Sequence, residues 1–369
     1  MKAVILPTNT GQGHNSASRA IKGYLDTQGC ETIISDVLKS HKKETSQRVS
    51  SVYTHVTTHA PWLFKTAYDI GAAVSSSKHH SPIYYLNAHY GKELYQKLTE
   101  MAPDIIVCPH IFSAQVLTYI RQKYHYNVPA VGLITDYTCS PFWEETRLDS
   151  YIIPAPELTD EFANKGIPRE KLFPLGIPVE ARYKAERNPQ AARHELGISA
   201  EKVVLIMGGS MGFGKIPQIA AAMHTAEPGA LIIAVCGNNR SLYNKINGLP
   251  GVMALQYSEK IDLLLDAADI LLTKPGGLSM TEAATKRIPI VFTCPIPGCE
   301  SVNSDFFGSL GMAKSAKTPR QAAEVASRLL RDPAACERMI DCQIRHISKQ
   351  SEKAVGNHLF RMAKQKTMV

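Results

Sequence analysis

Along the first half of the chain, short apolar runs recur, each bounded by proline, glycine or aspartate. They are AVILP at 3–7, ETIISDV at 31–37, DIIVCPH at 104–110, PAVGLITD at 129–136, YIIPA at 151–155 and KLFPLG at 171–176. Between the first two, Ala17, Ala20, Ile21, Tyr24 and Leu25 repeat at helical spacing, and Asn15 is placed to cap the start of that helix. Buried strands alternating with helices predict a parallel sheet covered on both faces.

The second half repeats the pattern with KVVLIMGG at 202–209, ALIIAVCG at 230–237, GVMALQY at 251–257, DILLTK at 269–274, IPIVFT at 288–293 and a weak GMAKSA at 311–316. Its first strand again runs into a glycine turn, GGSMGFGK. Residues 176–198 are polar and lack strand pattern, as a linker leading into a short helix would be, and beyond Thr318 only helical patterns remain. The expected class is α/β, with two Rossmann-like doubly wound domains in tandem. Their expected bounds are 1–180 and 190–351, with a last helix over about 352–369 crossing back onto the first domain.

A chain of 369 residues is too long for one core and suits two. Its 44% hydrophobic and 20% charged residues are ordinary for a globular protein, which argues against disorder or fibre. The net charge of +8 is uneven: from Lys286 onward there are 14 Lys and Arg against 7 Asp and Glu. A basic face there suits an anionic membrane surface or a nucleic acid, or is simply a solvated helix surface; of these the membrane is the expected partner, and nucleic acid is not. The eight cysteines show neither Cys-x-x-Cys nor zinc spacing and read as reduced thiols of a cytosolic protein. MKAVILP reads as a first strand rather than a signal peptide, and no apolar run approaches the roughly 18 residues of a membrane span. The expected location is cytoplasmic, peripheral to the inner face of the cell membrane.

The candidate chemistry lies in glycine turns. In open parallel sheets, ligands bind beyond the carboxyl ends of the strands, where backbone amides and helix N-termini meet anions. MGGSMGFG supplies Gly208, Gly209 and Ser210, and TKPGGLSMTEA supplies Gly276, Gly277, Leu278 and Ser279. Glu282, near the same helix entrance, is placed either to accept hydrogen bonds from a ribose diol or to complement the helix dipole.

GGS, TKPGGLSMTEA and PIPGCESVNSDFF closely resemble the UDP-sugar half of the family of bacterial processive diacylglycerol glycosyltransferases and plant monogalactosyldiacylglycerol synthases. Those are GT-B enzymes, whose two domains face a cleft. The resemblance implies that Gly276, Gly277 and Glu282 hold the donor nucleotide, and that Pro297, Gly298, Glu300 and Asn303 lie near the donor sugar and diphosphate. Cys299 stands where the family usually has glutamine, and a thiol is a poor substitute for an amide. At the other end, TNTGQGHNSASRAI resembles the family's Thr-Gly-x-Gly-His-x-x-Ala segment, which brings in Gly13 as an expected donor-binding residue and His14.

An inverting transfer needs a base on the acceptor hydroxyl and a stabilised leaving group. A histidine just outside a helix N-terminus feels the positive end of the dipole and stays neutral, so His14 suits the base, although capping the turn is its plainer role. Asp136, ending a strand in the family-like LITDYTCSPFW, is placed to orient His14 or to be the base itself. Trp143 in the same segment resembles the family's lipid-facing tryptophan or fills core, and Ser140 stands where plant members carry histidine. No Asp-x-Asp pair occurs in the chain, so glycine-turn amides are expected to replace a metal or other cofactor. Aromatics interleaved with Lys and His at 53–74 and 83–98, among them Trp62, Phe64 and Tyr68, mark a candidate acceptor and membrane surface or a core stripe.

The expected function is transfer of a hexose from UDP-glucose or UDP-galactose to a diacylglycerol-type lipid. The alternatives are another lipid-linked or hydrophobic acceptor, or a non-catalytic UDP-sugar sensor. The donor hexose and the oligomeric state leave no mark in the sequence.

Overall fold

The computed structural model describes residues 1–8, 12–37, 66, 69–71, 74–75 and 79–366. The chain divides into two compact units, one of residues 1–180 with 350–369 and the other of residues 181–349. Each unit is built on a six-stranded sheet in which every pairing is parallel.

In the first unit the strands are β1 (Lys2–Ile5), β2 (Glu31–Ile34), β3 (Ile105–Cys108), β4 (Ala130–Leu133), β5 (Ser150–Ile153) and β6 (Leu172–Pro174), in the order β2-β1-β3-β4-β5-β6. The six apolar runs thus become the six strands, and β3, β4 and β5 are buried at every residue. Helix α1 (Gln12–Thr27) packs its Ala17, Ala20, Ile21 and Leu25 inward. It begins three residues before Asn15, so Asn15 lies within the first turn and does not cap the helix. Helix α2 (Pro82–Ala88) is capped by the Ser81 hydroxyl, and α3 (Ile111–Tyr124) by the ring of His110.

The second unit has β7 (Val203–Met207), β8 (Leu231–Val235), β9 (Val252–Leu255), β10 (Ile270–Thr273), β11 (Ile290–Thr293) and β12 (Lys314–Ala316), in the order β12-β11-β10-β7-β8-β9. Three of its helices frame the glycine turns: α4 (Ile216–Ala226), α5 (Gly277–Thr285) and α6 (Cys299–Ser309). The last helix, α7 (Ser351–Lys366), returns to the first unit, packs on α1, and sets His358 Nε2 2.8 Å from the Ser150 hydroxyl.

Each sheet reverses its direction of growth at one place, between β1 and β3 and between β7 and β10. At such a switch point the connections leave in opposite directions and open a crevice beyond the strand ends. Both sequence-derived clusters sit there. Ile5 pairs with Val107 and Cys108 with Gly132, so the segments after β1, β3 and β4 emerge together. Met207 pairs with Thr273, so the turns after β7 and β10 emerge together.

Candidate active site

At the β1/β3 switch point, His14 occupies the third position of α1, inside the first turn rather than ahead of it. Its Nδ1 lies 3.1 Å from the hydroxyl of Thr135, just beyond β4, and its ring also bonds the Pro109 carbonyl. The ring of His110 meets it edge-on, with centroids 4.6 Å apart and planes at 85°. His110 is itself fixed, because its Nδ1 accepts the Phe112 amide at 3.0 Å.

Both imidazoles are held below the ordinary histidine range. For His14 the main cause is burial, with the charge of Asp136 pulling the other way; for His110 burial is followed by repulsion from His14. Burial therefore favours the neutral form of the His14 ring at neutral pH. A neutral ring keeps one nitrogen able to accept a proton. Asp136 stands close enough for its charge to act on His14. Gly13 immediately precedes His14 in the helix.

In the second unit, Gly208 and Gly209 leave β7 in a tight turn closed by the Phe213 amide on the Gly208 carbonyl at 2.8 Å and the Gly212 amide on Gly209 at 3.1 Å. Helix α4 starts only at Ile216, so Gly208, Gly209 and Ser210 do not belong to a helix N-terminus. Gly209 has φ +71°, and a Cβ there would stand 2.9 Å from Lys274 Cε. The second turn does open a helix: Gly276 is the N-cap of α5, and Gly277, Leu278 and Ser279 form its first turn with no side-chain cap. Their amides are the unpaired donors of a helix start.

Glu282 lies on the second turn of α5, 7% exposed. Gly298 is the N-cap of α6, with Pro297 half-buried before it and Cys299 half-buried after it. Glu300 accepts the Ile296 amide at 2.9 Å through Oε2 and binds Lys274 Nζ through Oε1. Fully buried Asn303 donates to the Pro275 carbonyl at 3.1 Å. Glu300 and Asn303 thus tie the PIPGCESVN segment to the TKPGG turn.

The structure also corrects the lipid-facing reading of Trp143. Trp143 is 5% exposed, packed edge-on against Tyr151, and therefore fills core rather than facing lipid. Trp62, Phe64 and Tyr68 lie outside the described residues. The aromatic run at 83–98 divides: Tyr84 is buried and stacked on His80, and Tyr95 stacks on Tyr124. Ile83, Tyr85 and Leu86 on α2 stand 43%, 65% and 70% exposed. Among the described residues, no helix is long and apolar enough to cross a membrane.

Sequence reasoning missed His110, Thr135 and Lys274. The signal for the first was its place at the end of the run DIIVCPH, and for the last its place inside TKPGG.

Two doubly wound parallel units make this a GT-B fold. MurG from Acinetobacter baumannii shares it, with a TM-score of 0.64 and 14% identity over 98% of this chain and 99% of that one. Residues 14–179 match the family model of monogalactosyldiacylglycerol (MGDG) synthase. A processive diacylglycerol beta-glucosyltransferase of Staphylococcus saprophyticus is 29% identical over 66% of this chain, a match that spans 64% of that relative, just under two thirds of its length. A protein of the same name from Bacillus cytotoxicus is 24% identical over 90% of this chain and 86% of its own. The chain is related to the family of monogalactosyldiacylglycerol synthases and processive diacylglycerol glycosyltransferases.

Proposed function

We propose that the chain is an inverting glycosyltransferase that moves a hexose from a UDP-sugar to a diacylglycerol-type lipid at the cytoplasmic face of the membrane. The observation that carries this reading is the neutral His14 ring, set by Thr135 and His110 at a switch point of the first sheet. Such a ring removes the proton from an acceptor hydroxyl as that oxygen attacks the anomeric carbon, and UDP departs from the opposite face of the sugar. Asp136 favours the imidazolium that forms, since its negative charge raises the proton affinity of His14.

The second unit supplies the donor grip. The amides of Gly277, Leu278 and Ser279 at the start of α5, together with the turn of Gly208, Gly209 and Ser210, face the diphosphate, and Glu282 takes the ribose. Leaving-group charge is met by these groups without a metal, a reading supported by the lack of any Asp-x-Asp pair in the chain. The exposed Ile83, Tyr85 and Leu86 give α2 an apolar surface suited to a lipid interface, and the names of the relatives support diacylglycerol as acceptor.

The test is UDP release from UDP-glucose and UDP-galactose on vesicles with and without diacylglycerol. Release that depends on diacylglycerol is expected. UDP-sugar binding with no turnover on any lipid extract would make the chain a sensor instead.

A further inference from the structure

Lys274 is the first residue beyond β10, on the central strand of its sheet and at the switch point. Its stem crosses Gly209, where only the missing Cβ leaves room for Cε, and its ammonium lies 3.4 Å from where a Cβ on Gly276 would stand. The lysine therefore spans the two glycine turns, one after β7 and one after β10. Its Nζ binds Glu300 Oε1 and lies 5.9 Å from the centre of the Phe213 ring. Two helices start beside it, α5 at Gly276 and α6 at Gly298, and neither is capped by a side chain.

The pair is shielded, with Lys274 19% and Glu300 8% exposed at the side chain. A shielded ion pair contributes little net stability, because desolvating both charges offsets much of their attraction. This one stands where uncapped helix ends and Cβ-free turns leave space for an anion. Each helix end brings only about half a positive charge, whereas a departing nucleoside diphosphate carries more than one negative charge. A lysine adds a whole charge and three rotatable donors on a flexible stem.

Resting on the donor reading above, we propose that Lys274 is the cation of the donor site: Glu300 holds its ammonium in the empty protein, and the ammonium turns onto the diphosphate when the nucleotide arrives. The stem stays over Gly209, so the ammonium changes partner by rotation about its last bonds. Glu300 keeps its bond to the Ile296 amide through Oε2 and does not need to move.

The experiment measures binding of UDP and of uridine, by calorimetry, to the wild-type chain, Lys274→Met, Lys274→Arg and the double variant Lys274→Met/Glu300→Gln. The double variant removes the carboxylate that Lys274→Met leaves unpaired, so a loss of binding in both cannot be laid to a stranded charge. Lys274→Met and the double variant are expected to lose UDP affinity about tenfold or more, as for a hydrogen bond to a charged group. Uridine affinity should stay within about twofold in both, and Lys274→Arg should retain most of the UDP affinity. UDP affinity unchanged in the double variant, or uridine weakened as much as UDP, overturns the role of Lys274 while leaving the donor site standing. A wild-type chain that binds neither UDP nor uridine overturns the donor reading itself.

Discussion

The two sheets have the same kind of switch point and fill it with opposite chemistry. Between β1 and β3 the crevice is furnished with side chains: the His14 ring meets both the His110 ring and the hydroxyl of Thr135. Between β7 and β10 it is furnished with bare backbone: Gly208, Gly209, Gly276 and Gly277, crossed by one lysine stem. Proton transfer needs a side chain whose protonation state burial can set, and diphosphate binding needs amides that an anion can approach closely. The topology provides the place in both, and the residue types after the strands decide what the place does.

That division is sharpest at His14. His14→Ala is expected to lower turnover by about 10²- to 10⁴-fold, the usual contribution of a general base, while UDP affinity is unchanged because the proposed grip on the diphosphate and ribose lies in the other unit. Normal turnover in this variant would falsify the assignment of the base. A parallel loss of UDP affinity would instead break the separation of roles between the two switch points.

Trp143 tests where the first unit keeps its aromatic surface. Since its ring is buried against Tyr151, Trp143→Ala should cost about 3–5 kcal/mol of stability by creating a cavity. Denaturant unfolding would show this, and vesicle binding below the transition should not change. A variant of normal stability that no longer binds vesicles would return Trp143 to the lipid interface.

Gly208→Ala is the backbone counterpart in the second unit. The added Cβ would lie 2.3 Å from the Phe213 carbonyl oxygen, inside the turn that this carbonyl's own residue closes. The turn has to open, at about 1–3 kcal/mol by analogy with overpacking, and thermal unfolding together with UDP titration should record both a lower melting temperature and weaker binding. Undiminished UDP affinity would remove this turn from the donor grip.

What the sequence disclosed followed from how local each signal is. Most of the strands were readable because a buried parallel strand is a continuous apolar run of neighbouring residues, whereas β12 (Lys314–Ala316), exposed at two of its three residues, left only a weak pattern. The start of α1 was misplaced because Asn15 looks like a cap, whereas the helix already begins at Gln12. His14 was found through its glycine context, yet its partner Thr135 is 121 positions away and only the β1-β3-β4 pairing joins them. His110 went unremarked although it ends the run DIIVCPH, because its meaning comes only from β3 lying next to β1. Lys274 was hidden by the glycines beside it, since the turn explained itself without the side chain. Trp143 was open to two readings, and burial settled it.

The smallest effect separates the two halves by pH. Burial lowers the proton affinity of His14 below that of a free imidazole, and Asp136 only partly offsets this. The active form is the neutral ring, so kcat/KM should be flat at neutral pH and fall as pH drops through the lowered value. At pH 6.5, the ordinary histidine value, more than half of the rings are still neutral, and less than a twofold loss from the plateau is expected. The donor grip, made of amides and a lysine, should hold UDP-sugar equally at pH 8 and pH 6.5. A loss well beyond twofold at pH 6.5, with binding of the donor unaltered, would mean that His14 is better solvated than its packing against His110 and Pro109 implies. The base would then be an ordinary surface imidazole, and the contrast between a desolvated ring on one sheet and open backbone on the other would lose its physical cause.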